Sequence, residues 1–522
     1  MKKAKFLALC LLTLALVALL ASCGGEKSPV GPDGTTAPDV TGTPDNPVEE
    51  LPKLENLKIN GTLVSEYKIV VKGTTYGAKY ASELLQKKIL ALTGHELSIV
   101  SGASGSVFYI DSVNSADGKY HIDVDGSSIT LYGTGHSGAF TAVNGLIDEI
   151  DDGEDATVES KTAPMFTLEN TKKKLEEGKL SIGVLGDSMM DPNTGYRALC
   201  EFFLDSLKAE YPNADIQMKN HSKGGMNTYW GLYQIEDALL SEGYDDLIII
   251  GLGGNDLPYG SGYDETALNY QAIIEKIRKA NPEAEIVVVM YGTDSAIKDM
   301  ANGYEISDKK ARFDVTEYYK VPIVDTNLEM YSICSAGNYE EIWRKYIYDS
   351  VHANNAGQEL YGGILWRSVK AALDGSEGKE AIDCYMPKTP LFENSKVNAV
   401  KLPWDSIKDQ IIFGTGEESG WTSKGRTTKT GSSISYEFEG IGLELGIGKN
   451  EANPYMLLIQ IYDENGELVL EQERETFYYY HLFITNELEY GKYTAKLTVT
   501  RPSEKYPSER PSFTLTDLAI IK

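Results

Sequence analysis

Cysteine is scarce: the 522 residues hold five, Cys10, Cys23, Cys200, Cys334 and Cys384. None stands in a C-x-x-C pair or in a Cys/His spacing that would hold zinc. Cys200 lies among apolar residues at helical spacing and reads as packing. Cys334 and Cys384 are candidates for a disulfide, with no distance to decide it. Positive charge is short as well. Against 77 Asp and Glu stand 49 Lys and Arg, a formal net charge of −28. That field repels a polyanion and argues against nucleic acid as a partner, while leaving a neutral polymer acceptable. Long apolar runs are missing beyond the first residues, so no second segment can cross a bilayer, which takes about 20 such residues.

The one apolar run has an exporter's layout. Lys2, Lys3 and Lys5 precede an almost wholly apolar stretch over residues 6–21, which ends in Leu20-Ala21-Ser22-Cys23. A short apolar segment behind a positive start reads as a signal peptide rather than a span. Its end resembles a lipobox, and the resemblance implies cleavage before Cys23 and a diacylglycerol on its thiol. Loss of residues 1–22, with three lysines, takes the charge from −28 to −31. The expected location is the outer side of a bacterial cytoplasmic membrane or the cell surface.

A chain of this length holds about three folded units. Residues 23–52 are rich in Gly, Pro, Thr, Ser and Asp, and bury too little to offset their ordering entropy; they read as a tether. Residues 53–165 read as a small α+β domain: strands near 67–71, 97–100, 107–110, 121–124 and 128–132, and helices over 76–92 and 138–150. Asp125-Gly126 marks a hairpin between two of the strands. With Tyr67, Val70 and Gly94 this pattern resembles the small N-terminal domain attached to several exo-acting glycoside hydrolases. It carries no catalytic residues across. A charged stretch, 169–179, forms a boundary. Residues 170–376 then alternate strand and helix. Apolar runs at 181–185, 247–250 and 286–290 suit central parallel strands, and Ile216 and Met218 suit a strand nearer an edge. Residues 384–522 show short alternating runs broken by turns such as Asp463-Glu464-Asn465-Gly466, the pattern of a β-sandwich.

Three short segments follow strands of the α/β region, where open parallel sheets bind ligands. Gly186-Asp187-Ser188 can present a hydroxyl and an N–H to a cleft. Asn220-His221-Ser222-Lys223-Gly224-Gly225 can bring its backbone close to a ligand. Gly253-Gly254-Asn255-Asp256 can offer an amide. A fourth, Asp349-Ser350-Val351-His352, places a carboxylate within reach of one imidazole nitrogen and frees the other to face a serine. Each alone is an ordinary turn or helix start.

Taken together and in this order, the four blocks resemble the SGNH (GDSL-like) hydrolase family over roughly the middle third of the chain, in particular bacterial carbohydrate acetylesterase lipoproteins. The resemblance implies a flavodoxin-like three-layer α/β domain and an acyl-serine mechanism. Ser188 would be the nucleophile, His352 the general base and acid, and Asp349 its orienter. The N–H groups of Ser188 and Gly225 and the Asn255 amide would form the oxyanion hole. The chain departs from the pattern with Met189 after the serine, Ser222 where a glycine is usual, and Ala353 after the histidine. Gly224 is a substitute donor, and Asp187 supports the serine turn. No metal or organic cofactor is implied.

Context turns the substrate toward O-acetyl groups on a polysaccharide. The chain is exported and tethered, has two accessory domains, and places Tyr229 and Trp230 after the Gly225 loop as a sugar-stacking platform or as helix packing. Trp404 and Trp421 in the β region invite a carbohydrate-binding reading, with core or edge packing preferred. One alternative is a lipase or cell-envelope acyl esterase, which needs an apolar acyl pocket; the polar segment 294–304 offers none. The other is a non-catalytic carbohydrate-binding surface lipoprotein. The oligomeric state is left open.

Overall fold

The computed structural model describes residues 53–150, 155–242, 246–414, 421–422, 424–448, 455–476, 481–502 and 513–522. The leader, Cys23 and the tether lie outside the described residues.

The central region is built on five strands: β1 (Lys179–Gly186), β2 (Asp215–Asn220), β3 (Leu247–Gly251), β4 (Glu285–Met290) and β5 (Ile323–Asp325). They lie in the order β2-β1-β3-β4-β5, and every neighbouring pair is parallel. Burial explains the sequence pattern. All residues of β3 and β4 are buried, and both are nearly continuous apolar runs. In β2 exposed residues alternate with better covered ones, and it stands at the sheet edge. The short β5 has no such run to mark it and was not expected.

Side chains of alternating strand positions enter two cores. Leu180, Ile182 and Val184 join Leu199 and Phe203 of α1 (Leu199–Glu210). Leu185, Ile248 and Ile250 join Leu232 of α2 (Thr228–Ala238) and Ile273 of α3 (Tyr263–Ala280). Strand order reverses at β1, so the loops after β1, β2 and β3 open at one carboxyl edge of the sheet. The polar segment after β4 is a helix, α4 (Asp294–Ala301). It is followed by α5 (Ser307–Tyr319), α6 (Asn327–Ser335), α7 (Tyr339–Tyr346) and α8 (Asn355–Gly375).

Before this region stands a six-stranded mixed sheet, with strands at Lys68–Lys72, Ile99–Val100, Val107–Asn114, Lys119–Asp125, Ser128–Gly133 and Lys161–Pro164. Helices Tyr76–Thr93 and Ser137–Ile150 share its core. The expected hairpin turns at Gly126, φ +62°. The unit docks on the central region through Tyr80 Oη, which donates to Asp314 (2.7 Å), and the His136 N–H, which donates to Asp325 (2.7 Å).

After it come two five-stranded antiparallel assemblies. Their alternating strands, such as Ser433–Gly440 and Tyr455–Asp463, were expected from the pattern over 384–522. Leu468–Glu475 was not, because it is an edge strand of mostly exposed, charged residues with no buried stripe. Trp404 is buried and stacks on Trp421 (centroids 6.2 Å), which meets Phe513 edge-on, so both tryptophans pack the core.

The disulfide is not formed. Cys200, Cys334 and Cys384 are free thiols. Cys334 is buried in α6, whereas Cys384 donates to Ala284 O just before β4 begins, at the opposite end of the sheet. Burial pushes the Cys200 thiol up to about 12, which fits a packing role.

Candidate active site

Ser188 stands on the turn that leaves β1. The Asp187 N–H donates to Gly251 O (3.1 Å) and so ties the turn to the end of β3. The Asp187 carboxylate is buried and accepts the Met189 N–H (3.0 Å) and the Tyr291 hydroxyl (2.5 Å). Its pKa is raised by burial, against the lowering effect of those donors. Asp187 thus shapes the turn, as expected, and the half-buried Ser188 hydroxyl points away from it: Oγ lies 2.9 Å from His352 Nε2.

His352 is held by a loop that closes on itself. Ile347 and Ala353 form an isolated bridge, and the Tyr348 N–H donates to His352 O (3.0 Å). Asp349 Oδ2 lies 2.6 Å from His352 Nδ1, while Oδ1 accepts the backbone N–H groups of Val351 and His352 (2.7 Å each). Partial burial works against the Asp349 carboxylate, but these donors and the imidazole outweigh it and hold its pKa below the usual range. The carboxylate fixes Nδ1 as the protonated nitrogen and turns Nε2, as acceptor, toward the serine. Asn354 ends the loop by capping α8, its Oδ1 accepting the Gly357 N–H (3.1 Å).

The second block leaves β2 and turns at Gly225, φ +78°, a conformation that favours glycine. The Gly224 N–H is already committed to Asp191 Oδ2 (2.8 Å), so Gly224 is not a substitute donor. The Gly225 N–H makes no hydrogen bond among the described residues. Asn255, after β3, donates from Nδ2 to Met226 O (2.8 Å), which locks the third block to the second and leaves its other amide proton to point elsewhere. A side chain added at Gly224 would come within 3.8 Å of Ser188 Cβ, so the two loops adjoin.

Tyr229 and Trp230 do not form a platform. Tyr229 is 4% exposed, stacks on His481 of the β-sandwich (4.1 Å) and donates to Asp517 (2.7 Å). Trp230 is partly buried against the core. Helix packing is the reading that holds for this pair.

Sequence reasoning missed the residues that hold the motifs. Asp191 anchors the Gly224 loop. Tyr291 anchors Asp187. Buried Arg312, paired with Asp308 (3.1 Å), donates to Leu252 O (3.2 Å) and fills the space beside Gly253. Asp256 accepts the Thr228 N–H (3.1 Å) and hydroxyl, and burial pushes its carboxyl up to about 6. The only signal was position: Asp191 is three residues from Ser188, and Tyr291 directly follows β4.

The GDSL-like lipase/acylhydrolase family matches residues 184–360. No curated protein matches the chain. Among solved structures, a two-domain esterase active on acetylated mannans, co-crystallised with mannopentaose, is similar at 18% identity and TM-score 0.51, covering 68% of this chain and 95% of that one. A second structure of a two-domain esterase active on acetylated mannans gives 18% identity, TM-score 0.50 and the same coverage. At such identity the likeness is one of fold. With the four blocks in order and the family match running from the end of β1 into the start of α8, the central region is a hydrolase domain of the GDSL-like (SGNH) family.

Proposed function

We propose that this chain is a serine esterase that removes O-acetyl groups from a polysaccharide at the cell surface. One observation carries the mechanism: the unbroken relay from Ser188 Oγ to His352 Nε2 and from His352 Nδ1 to Asp349. His352 takes the Ser188 proton as Oγ attacks the ester carbonyl. The oxyanion meets the N–H groups of Ser188 and Gly225 and the Asn255 amide. The tetrahedral species collapses, the alcohol leaves with the proton held on Nε2, and an acetyl-serine stays. Water, deprotonated by His352, attacks that ester; acetate departs and Ser188 regains its proton. Asp349 stays ionised and stabilises the imidazolium in both halves.

The substrate reading draws on context. The leader and Cys23 support export and a lipid anchor, and residues 23–52 supply reach. The fold neighbour is active on acetylated mannans, which makes an acetylated mannan the first polymer to try. The test is acetate release from acetylated mannan, xylan and pectin, run beside a p-nitrophenyl ester series. Acetate release from a polymer, with aryl acetate preferred to longer acyl esters, is the expected result. A preference for long acyl chains with no acetate from any polymer overturns the polysaccharide reading in favour of a lipase.

A further inference from the structure

We infer that Tyr348 and Tyr196 form the sugar-stacking platform of this site, on the side where the alcohol leaves. The inference rests on the polysaccharide reading above and deepens it. The leaving oxygen belongs to the sugar, and it receives its proton from His352 Nε2. The sugar ring that bears the acetyl group must therefore lie against His352. What stands there is aromatic. The Tyr348 ring lies beside the His352 imidazole, centroids 5.8 Å apart and planes within 17°. Tyr196 adjoins it at 5.2 Å, tilted by 36°.

Three properties separate this pair from ordinary packing. Tyr348 is 51% exposed, unlike the buried Tyr229. The two rings come from different catalytic segments: Tyr196 from the stretch between Ser188 and α1, Tyr348 from the residue before Asp349. And the backbone beside each ring is tied down. The Tyr348 N–H is tied to His352 O (3.0 Å), and the Arg197 N–H donates to Asn355 Oδ1 (3.2 Å), joining the Tyr196 segment to the start of α8. An exposed aromatic face held rigid next to a proton donor loses little freedom on binding a ligand. The apolar C–H face of a pyranose ring is the surface that such a face takes, with hydroxyl groups left at the rim. The Arg197 side chain pairs with Asp205 (2.6 Å), so its charge is already met. The ligand class is thus a neutral sugar carrying the ester on a hydroxyl, held by its ring face.

The test compares kcat/KM on acetylated mannan with kcat/KM on p-nitrophenyl acetate, for the full chain and for Tyr348→Ala, Tyr196→Ala and Tyr348→Phe. The ratio within one preparation is blind to any misfolded fraction. The polymer-to-aryl ratio is expected to fall about tenfold in Tyr348→Ala and severalfold in Tyr196→Ala, mostly through KM, since a stacking contact is of the size that gives such factors. Tyr348→Phe keeps the face and should keep the ratio. An unchanged ratio in both alanine variants, or an equal fall in the phenylalanine variant, overturns the platform while leaving the polysaccharide reading intact. A wild-type chain inactive on every polymer but active on the aryl ester overturns that reading, and the platform with it.

Discussion

At the scale of single residues, the site depends on groups whose identity is chemical and on groups whose identity is conformational. Ser188, His352 and Asp349 belong to the first kind, and their residue types and order are legible in the sequence alone. Gly225 belongs to the second. Its φ of +78° aims an N–H that has no other acceptor among the described residues. Gly225→Ala should lower kcat by about 10²–10³-fold, the usual loss for one oxyanion donor. Gly178, φ +83° with open space around it, is the control for backbone strain alone. Steady-state kinetics on p-nitrophenyl acetate separates them; equal losses in both would show that strain, not the donor, matters. What stayed hidden at this scale was Asp191. It claims the Gly224 N–H from 33 positions away, and no local pattern marks that. Tyr229 stayed open between platform and packing for a related reason: an aromatic next to an active loop looks the same in sequence whether it faces solvent or a second domain.

At the scale of elements, strand identity was legible because parallel strands covered on both faces need unbroken apolar runs. Elements with neither such a run nor an alternating buried stripe, β5 and the exposed edge strand Leu468–Glu475, gave no signal. Cross-element caps were equally silent. Glu285, the first residue of β4, accepts the N–H groups of Asn170 (3.1 Å) and Thr171 (2.8 Å) in the first turn of the helix Glu169–Glu176. Burial nevertheless pushes its carboxyl from 4.5 up to about 7. The folded chain therefore holds this proton more tightly than the unfolded chain. Its contribution is full below pH 4.5 and is lost as pH rises through about 7. Thermal melts should show the difference between wild type and Glu285→Gln changing against the wild type as pH rises through that window, by at most about 1.4 kcal/mol per pH unit. A difference independent of pH would contradict this.

At the scale of the whole molecule, the β-sandwich and the hydrolase domain share a buried polar seam. Lys396 and Glu444, both fully buried, pair with each other. Lys396 also donates to Asn269 (2.9 Å), and Glu444 accepts the Tyr233 hydroxyl (2.6 Å). Nearby, His481 pairs with Glu265 and lies 3.2 Å from Asn227, the residue that caps α2 two positions after Gly225. The sandwich thus grips the segment that carries Gly225, the proposed oxyanion donor. Lys396→Met would leave Glu444 charged, buried and short of its partner, and should cost about 3–5 kcal/mol of stability. Denaturant unfolding measures this; a loss under 1 kcal/mol would mean that water already reaches the seam. None of this seam was legible in sequence, because its members come from segments as far apart as residues 227 and 517 and each alone is an unremarked polar residue.

Ser188 is proposed as the nucleophile of an ester hydrolase, and its reactivity can be read directly. The most direct measurement is mass spectrometry of the chain after treatment with a phosphonate ester, followed by peptide mapping. One adduct per chain on Ser188, absent in Ser188→Ala and slowed in His352→Ala, together with loss of ester turnover in Ser188→Ala, is the predicted result. An adduct on another residue, or wild-type turnover by Ser188→Ala, would contradict it.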